Sequence, residues 1–248
     1  QLSIARDSSQ LRVPPRGQEP LPFGPIEIGK AFEGGSGPAK LSSTIVIAEP
    51  GTRYTSFALR FLTEGIKNDE PGLLVSTKED QDAILRICRQ SPSLRPLLHE
   101  GGGALSRDFR LLYLHPEFLS AGKFSSDILR MIQPSPYPSK EPKVARLAFD
   151  NIFRLHRRFP LLEAQDFLIA ALLDLLRYQQ VTPLFVDLIP PCGRNREMSI
   201  DPSMHLSTFD NVLHLFVREE AEGKHIPHVR ILKSVGNDFD RTPFPVSI

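Results

Sequence analysis

Apolar and polar positions alternate along this chain in short, regular segments. Thr44-Ile45-Val46-Ile47 is a β-branched run, which predicts a buried strand. Residues 56–66 come next, with Ala58, Phe61, Leu62 and Ile66 at helical spacing. Gly72-Leu73-Leu74-Val75-Ser76 predicts a second strand, and residues 80–89 a helix with Ile84, Leu85 and Cys88 inward. Residues 109–114 predict a third strand, 125–132 a third helix and 144–149 a fourth strand. Residues 163–178 are the strongest helix, with Phe167, Leu168, Ala171, Leu172 and Leu175 on one side, and 183–189 predict a fifth strand. The pattern then changes: 212–217 and 228–233 are strands separated by a polar turn over 219–224, the spacing of an antiparallel hairpin. Alternating strands and helices that end in a hairpin predict an α/β fold with a mainly parallel sheet. Ligands of such sheets lie beyond the carboxyl ends of the strands, here just after Ile47, Ser76, Phe149 and Ile189.

Composition narrows this picture. Of 248 residues, 40% are apolar, and 30 Lys and Arg meet 29 Asp and Glu for a net charge of +1. That excludes a disordered chain and the basic field of a dedicated nucleic-acid module. No apolar run approaches the roughly 20 residues of a membrane helix. Many of the 23 prolines crowd into residues 12–25, 133–142, 183–191 and 242–245, which read as linkers and surface loops. Residues 1–23 lack periodicity and are expected to be a Pro-rich arm or linker before a domain over 24–248, with a flexible turn at Gly34-Gly35-Ser36-Gly37-Pro38. Cys88 and Cys192 cannot make a disulfide framework, and the start carries no secretory pattern, so a cytoplasmic setting is expected. A first residue of Gln fits a chain trimmed from something longer.

The candidate chemistry begins after the first strand, at Ala48-Glu49-Pro50-Gly51-Thr52-Arg53-Tyr54-Thr55. A phosphate-binding loop needs glycines, a Lys for the β- and γ-phosphates and a Ser or Thr for Mg²⁺. Gly51 and Thr55 meet that spacing, but Arg53 replaces a glycine and Tyr54 replaces the Lys. On pattern alone the segment also fits an ordinary strand–turn–helix junction.

From about Gly24 to Ile248 the order of segments resembles a KaiC-type domain of the RecA-like P-loop ATPases. Ile28-Gly29-Lys30-Ala31-Phe32-Glu33-Gly34-Gly35 echoes the family's entry segment, and the run from Glu49 to Gly65 matches its P-loop and first helix. Pro71 to Glu79 resembles the strand that carries its paired glutamates, and Phe149-Asp150-Asn151 its Walker B segment. Ile231 to Asp238 and Arg241 to Pro245 resemble its C-terminal Lys-x-Arg-Gly-Ser-Asp and closing segments. The resemblance implies a three-layer RecA-like fold. It assigns Gly51, Thr52, Arg53, Tyr54 and Thr55 to a degenerate nucleotide loop, Thr55 and Asp150 to Mg²⁺, Glu79 to the surviving general base, and Lys233 to a cation offered to a neighbouring subunit.

The departures from the family carry the functional expectation. A phenol at position 54 cannot neutralise phosphate charge as an ammonium does. Lys78 stands at one of two acidic positions, Glu49 adds negative charge at the loop, and Val235 occupies the place of an arginine finger, a group worth about 10³–10⁵ in rate. The resemblance therefore implies a pseudo-ATPase: a binding, scaffolding or regulatory subunit that joins like or related RecA-like subunits, with no cofactor required. Two alternatives stay open. One is a weak Mg-ATP-dependent ATPase with Arg53 as surrogate cation; the other is a recombinase-like nucleic-acid binder, which the neutral charge disfavours.

Other polar features have ordinary readings. Asp187 is expected to hydrogen-bond a neighbouring loop, and Asp150 is equally able to cap the segment after it. His156, Arg157 and Arg158 read as a solvated helix face, and Gly101-Gly102-Gly103 as a hinge before a strand. The polar stretch 192–205, with Arg194, Arg196 and Met198, would face the channel of a RecA-like ring.

Overall fold

The computed structural model describes residues 19–35, 37–115, 120–133, 142–151, 167–189, 206–219 and 223–248. Expectations for residues 1–18, for His156, Arg157 and Arg158, for the start of the helix at 163–178, and for Cys192, Arg194, Arg196, Met198 and the rest of 190–205 lie outside these residues.

The strands are β1 (Thr44–Ala48), β2 (Gly72–Ser76), β3 (Phe109–Tyr113), β4 (Arg146–Asp150), β5 (Thr182–Leu188), β6 (Asn211–Glu219), β7 (His225–Ser234) and β8 (Phe244–Pro245). The helices are α1 (Ile26–Lys30), α2 (Tyr54–Lys67), α3 (Gln81–Gln90), α4 (Ala121–Ile132) and α5 (Phe167–Tyr178). The strands form one sheet in the order β3-β2-β4-β5-β1-β6-β7-β8. All pairs from β3 to β6 are parallel, and β6–β7 and β7–β8 are antiparallel. The mainly parallel α/β sheet and its terminal hairpin are as the hydrophobic pattern predicts.

Handedness sorts the helices onto the two faces. The chain steps one way along the sheet from β1 through β2 to β3, and the other way from β3 through β4 to β5. Right-handed crossovers then require opposite faces for the two runs. Accordingly Phe57, Phe61, Ile84 and Cys88 of α2 and α3 join one core, while Phe124, Ile128, Leu172 and Leu176 of α4 and α5 join the other. β1, β2 and β4 are buried along their whole length, which is why they read as largely apolar runs.

Local chemistry sets the helix boundaries. Asp80 accepts a hydrogen bond from the Ala83 amide at 2.9 Å and caps α3, and Ser120 accepts from the Lys123 amide at 3.2 Å and caps α4. That cap starts α4 at Ala121, ahead of the 125–132 stretch that periodicity predicts. The short α1 and a 3-10 turn over Pro92–Leu97 have no periodic signature. Residues 19–23, which composition groups with the arm, pack on the core: Leu21 and Phe23 are buried, and the Phe23 ring lies 5.2 Å from that of Phe61.

A buried ion pair joins these parts. Arg146 opens β4 fully buried, and its Nε donates to Glu70 Oε2 at 2.6 Å. Its Nη1 donates to the carbonyls of Pro22 at 2.9 Å and Phe61 at 3.1 Å, and the guanidinium stands 5.0 Å from the Phe61 ring centroid. Gly65 makes room for it, since a Cβ there would lie 2.5 Å from Arg146 Cδ. Lys40 closes the network with a 2.6 Å contact to Glu70 Oε1.

Candidate functional site

The carboxyl ends of β1, β2 and β4 bring together residues far apart in sequence. The β1–α2 loop turns at Gly51, whose φ of +87° needs a glycine, and Thr52 folds back so that its Oγ1 donates to the Glu49 carbonyl at 2.7 Å. Arg53 comes next, in the left-handed region at φ 57°, and is exposed. The loop therefore keeps the backbone shape of the glycine expected there, while carrying a side chain. Among the described residues the Arg53 side chain makes no hydrogen bond or ion pair, and no side chain caps the start of α2.

Tyr54 and Thr55 open α2. Thr55 Oγ1 donates to Asp150 Oδ2 at 2.6 Å across 95 residues of sequence. Asp150 ends β4 fully buried, and burial pushes its carboxyl up to about 6, with the Thr55 hydroxyl opposing. Its other oxygen, Oδ1, and the Oδ1 of Asn151 are buried without a hydrogen-bond partner. Two orphaned hard oxygens beside a threonine hydroxyl suit Mg²⁺, so the residues present fit that ion. The alternative role for Asp150, capping the segment after β4, falls on residues 152–166 and lies outside the described residues.

Lys78 and Glu79 come from the loop after β2. The Ser76 hydroxyl accepts the Glu79 amide at 2.9 Å and shapes this loop. Lys78 Nζ lies 3.0 Å from Glu79 Oε1 and donates to Tyr54 Oη at 3.4 Å. The Glu79 carboxylate, more than any other group, raises the Lys78 amine above its ordinary value. Burial raises the Tyr54 phenol as well, with Asp150 adding and Lys78 opposing, so at neutral pH Tyr54 is an uncharged hydroxyl. A cavity of about 370 Å³ opens here, lined among others by Arg53, Tyr54, Thr55 and Lys78.

Two other predicted participants have partners of their own. Lys233 Nζ donates to the carbonyls of Ser207 at 2.9 Å and Phe209 at 2.6 Å, so its charge holds the turn before β6 in its own chain. Glu49 stands 3.2 Å from His214 Nε2 on β6. A carboxylate so close favours an imidazolium, yet burial and the positive Arg230 outweigh it and bring His214 down to about 4. The neutral ring donates to Glu49. Asp187 Oδ1 accepts from the adjacent Leu188 amide at 2.9 Å.

His214 sits in a strand pattern without metal-ligand spacing, and its contact with Glu49 has no local signal in the sequence. By residue type Lys78 is only a departure from an acidic pair; its meeting with Tyr54, 24 residues away, has no local signal. Among the described residues no group of three His, Cys, Asp or Glu is placed to hold a metal, and no helix is long and apolar enough to cross a membrane. Compared with protein-family models and with curated proteins, the chain matches none.

Proposed function

We propose that this chain is a degenerate KaiC-type, RecA-like domain that works as a catalytically silent binding or regulatory unit in a larger protein assembly. The observation that carries the reading is the neutral Tyr54 hydroxyl at the head of α2, beside a Lys78 amine already paired with Glu79. Phosphoryl transfer depends almost wholly on positioned positive charge. Here the loop after β1 offers no lysine, and the candidate base Glu79 is tied to a cation. The arrangement suits a fold retained for its association surfaces. Its partners would be like or related RecA-like subunits.

A second reading, residual binding of a magnesium nucleotide, is favoured by one feature: the unpartnered Asp150 Oδ1 beside Thr55. Thr55 and Asp150 would hold the ion, which when bound would neutralise phosphate charge. Thr55 keeps the carboxylate oriented, and the backbone amides at the start of α2, which no side chain caps, would face the phosphates.

A turnover assay with Mg-ATP tests the main reading. The expected rate is that of buffer alone. Phosphate release that Glu79→Gln abolishes would overturn it in favour of a weak ATPase, and loss in Arg53→Ala would identify the surrogate cation.

A further inference from the structure

Position 54 has lost its cation, but the space around it has not lost positive charge. Lys78 arrives from a different loop and sets its ammonium 3.4 Å from Tyr54 Oη and 5.8 Å from the ring centroid. Its side chain is 54% exposed, so the amine reaches the cavity without burial cost. Glu79, at 22% exposure, pairs with it at 3.0 Å through Oε1. Beyond lie the uncapped amides at the start of α2 and the side chains of Ile87 and Pro92 on the cavity wall. Asp150, fully buried with an unpartnered oxygen, supplies an independent demand for a cation next to Thr55.

We infer that Lys78 is the anion-recognising cation of this cavity, replacing from the β2–α3 loop the charge that Tyr54 cannot provide, and that Glu79 is its competing counter-ion. The ligand class is a nucleoside polyphosphate with magnesium: phosphate oxygens against Lys78 and the Tyr54 hydroxyl, nucleoside against the apolar wall. This rests on the second reading above. It makes Glu79 act against the ligand. A carboxylate that serves the ligand as base or metal partner predicts weaker or unchanged binding when neutralised. A carboxylate that competes for Lys78 predicts tighter binding. Charge-assisted hydrogen bonds are roughly twice as strong as neutral ones, so removing the ammonium is a large effect.

The test is calorimetric titration of the whole chain with the magnesium complex of the β,γ-imido analogue of ATP, and separately with magnesium tripolyphosphate. The expected result is binding of the nucleotide analogue by the wild type and at least roughly tenfold weaker binding by Lys78→Met, the loss of one charge-assisted contact. Recovery is expected in Lys78→Arg and tighter binding in Glu79→Gln. Tripolyphosphate should bind more weakly than the analogue. Thermal midpoints matching the wild type show that these substitutions leave the fold intact. Wild-type binding that Lys78→Met leaves unchanged, or that Glu79→Gln weakens, overturns the role of Lys78 while the nucleotide cleft stands. No binding of either probe by any variant at millimolar concentration overturns both the inference and the second reading, and leaves the silent binding unit in place.

Discussion

Removing the Glu70 carboxylate is the sharpest test of how this fold is held together. Arg146 is fully buried at the start of β4, and Glu70 is the only acidic group within ion-pair distance of it among the described residues. Glu70→Ala leaves the guanidinium with two carbonyls, Pro22 and Phe61, and the face of the Phe61 ring. Breaking a buried pair on one side costs about 3–5 kcal/mol, because the surviving charge has no counter-ion. The Glu70 side chain is 13% exposed, so water gains some access and the lower end, about 3 kcal/mol, applies. Arg146→Met removes the buried charge itself and leaves Glu70 with Lys40 near the surface, for a smaller loss. The double variant Glu70→Ala, Arg146→Met buries no charge and should lie closer to the wild type than Glu70→Ala does. Urea denaturation at about pH 7.5, monitored by circular dichroism, reads these differences at constant m. Losses below about 0.5 kcal/mol in Glu70→Ala, or strict additivity in the double variant, would refute the reasoning. The pair also has an acid signature. Burial works against the Glu70 carboxylate, but hydrogen bonding from Lys40 and the charge of Arg146 hold it below its ordinary value. Its contribution is therefore complete above the ordinary carboxylate range and fades as pH falls below it.

Three further outcomes rest on the geometry. His214 titrates near 4 in the fold against an ordinary 6.5, so the unfolded chain takes the proton first as pH falls. Its contribution to stability is then complete above pH 6.5 and lost toward pH 4. Between about pH 7.5 and 5 the wild type should lose about 2 kcal/mol more than His214→Gln in parallel urea titrations, and equal slopes would count against a buried neutral ring. Arg53→Gly restores the residue suited to φ 57° and should raise stability by about 1 kcal/mol; a loss would mean the Arg53 side chain is anchored. Lys233→Met strands the Ser207 and Phe209 carbonyls and should cost about 1–2 kcal/mol in the same assay, with no cost expected if the lysine serves only another subunit.

Hydrophobic periodicity alone was sufficient for the strands from β1 to β5, the hairpin of β6 and β7, and the end of the sheet where Thr55, Glu79 and Asp150 lie. Those features are local: a buried strand must be apolar on both faces, and a two-strand return needs only a polar turn. Residue type was also enough to see that position 54 carries no cation. The non-local contacts were decided by the tertiary structure. Arg146 sits in an apolar stretch as an apparent strand residue, and only the packing of α2 and residues 19–23 over the start of β4 turns it into a buried ion pair. Lys78 meets Tyr54, and Thr55 meets Asp150, because β4 inserts beside β2 in the sheet order. The contacts of Lys233 with the Ser207 and Phe209 carbonyls come from the pairing of β7 with β6, which brings its amine onto the turn that precedes β6. Each of these contacts spans tens of residues, and a sequence pattern records the periodicity of one segment, not the neighbour that another segment will become.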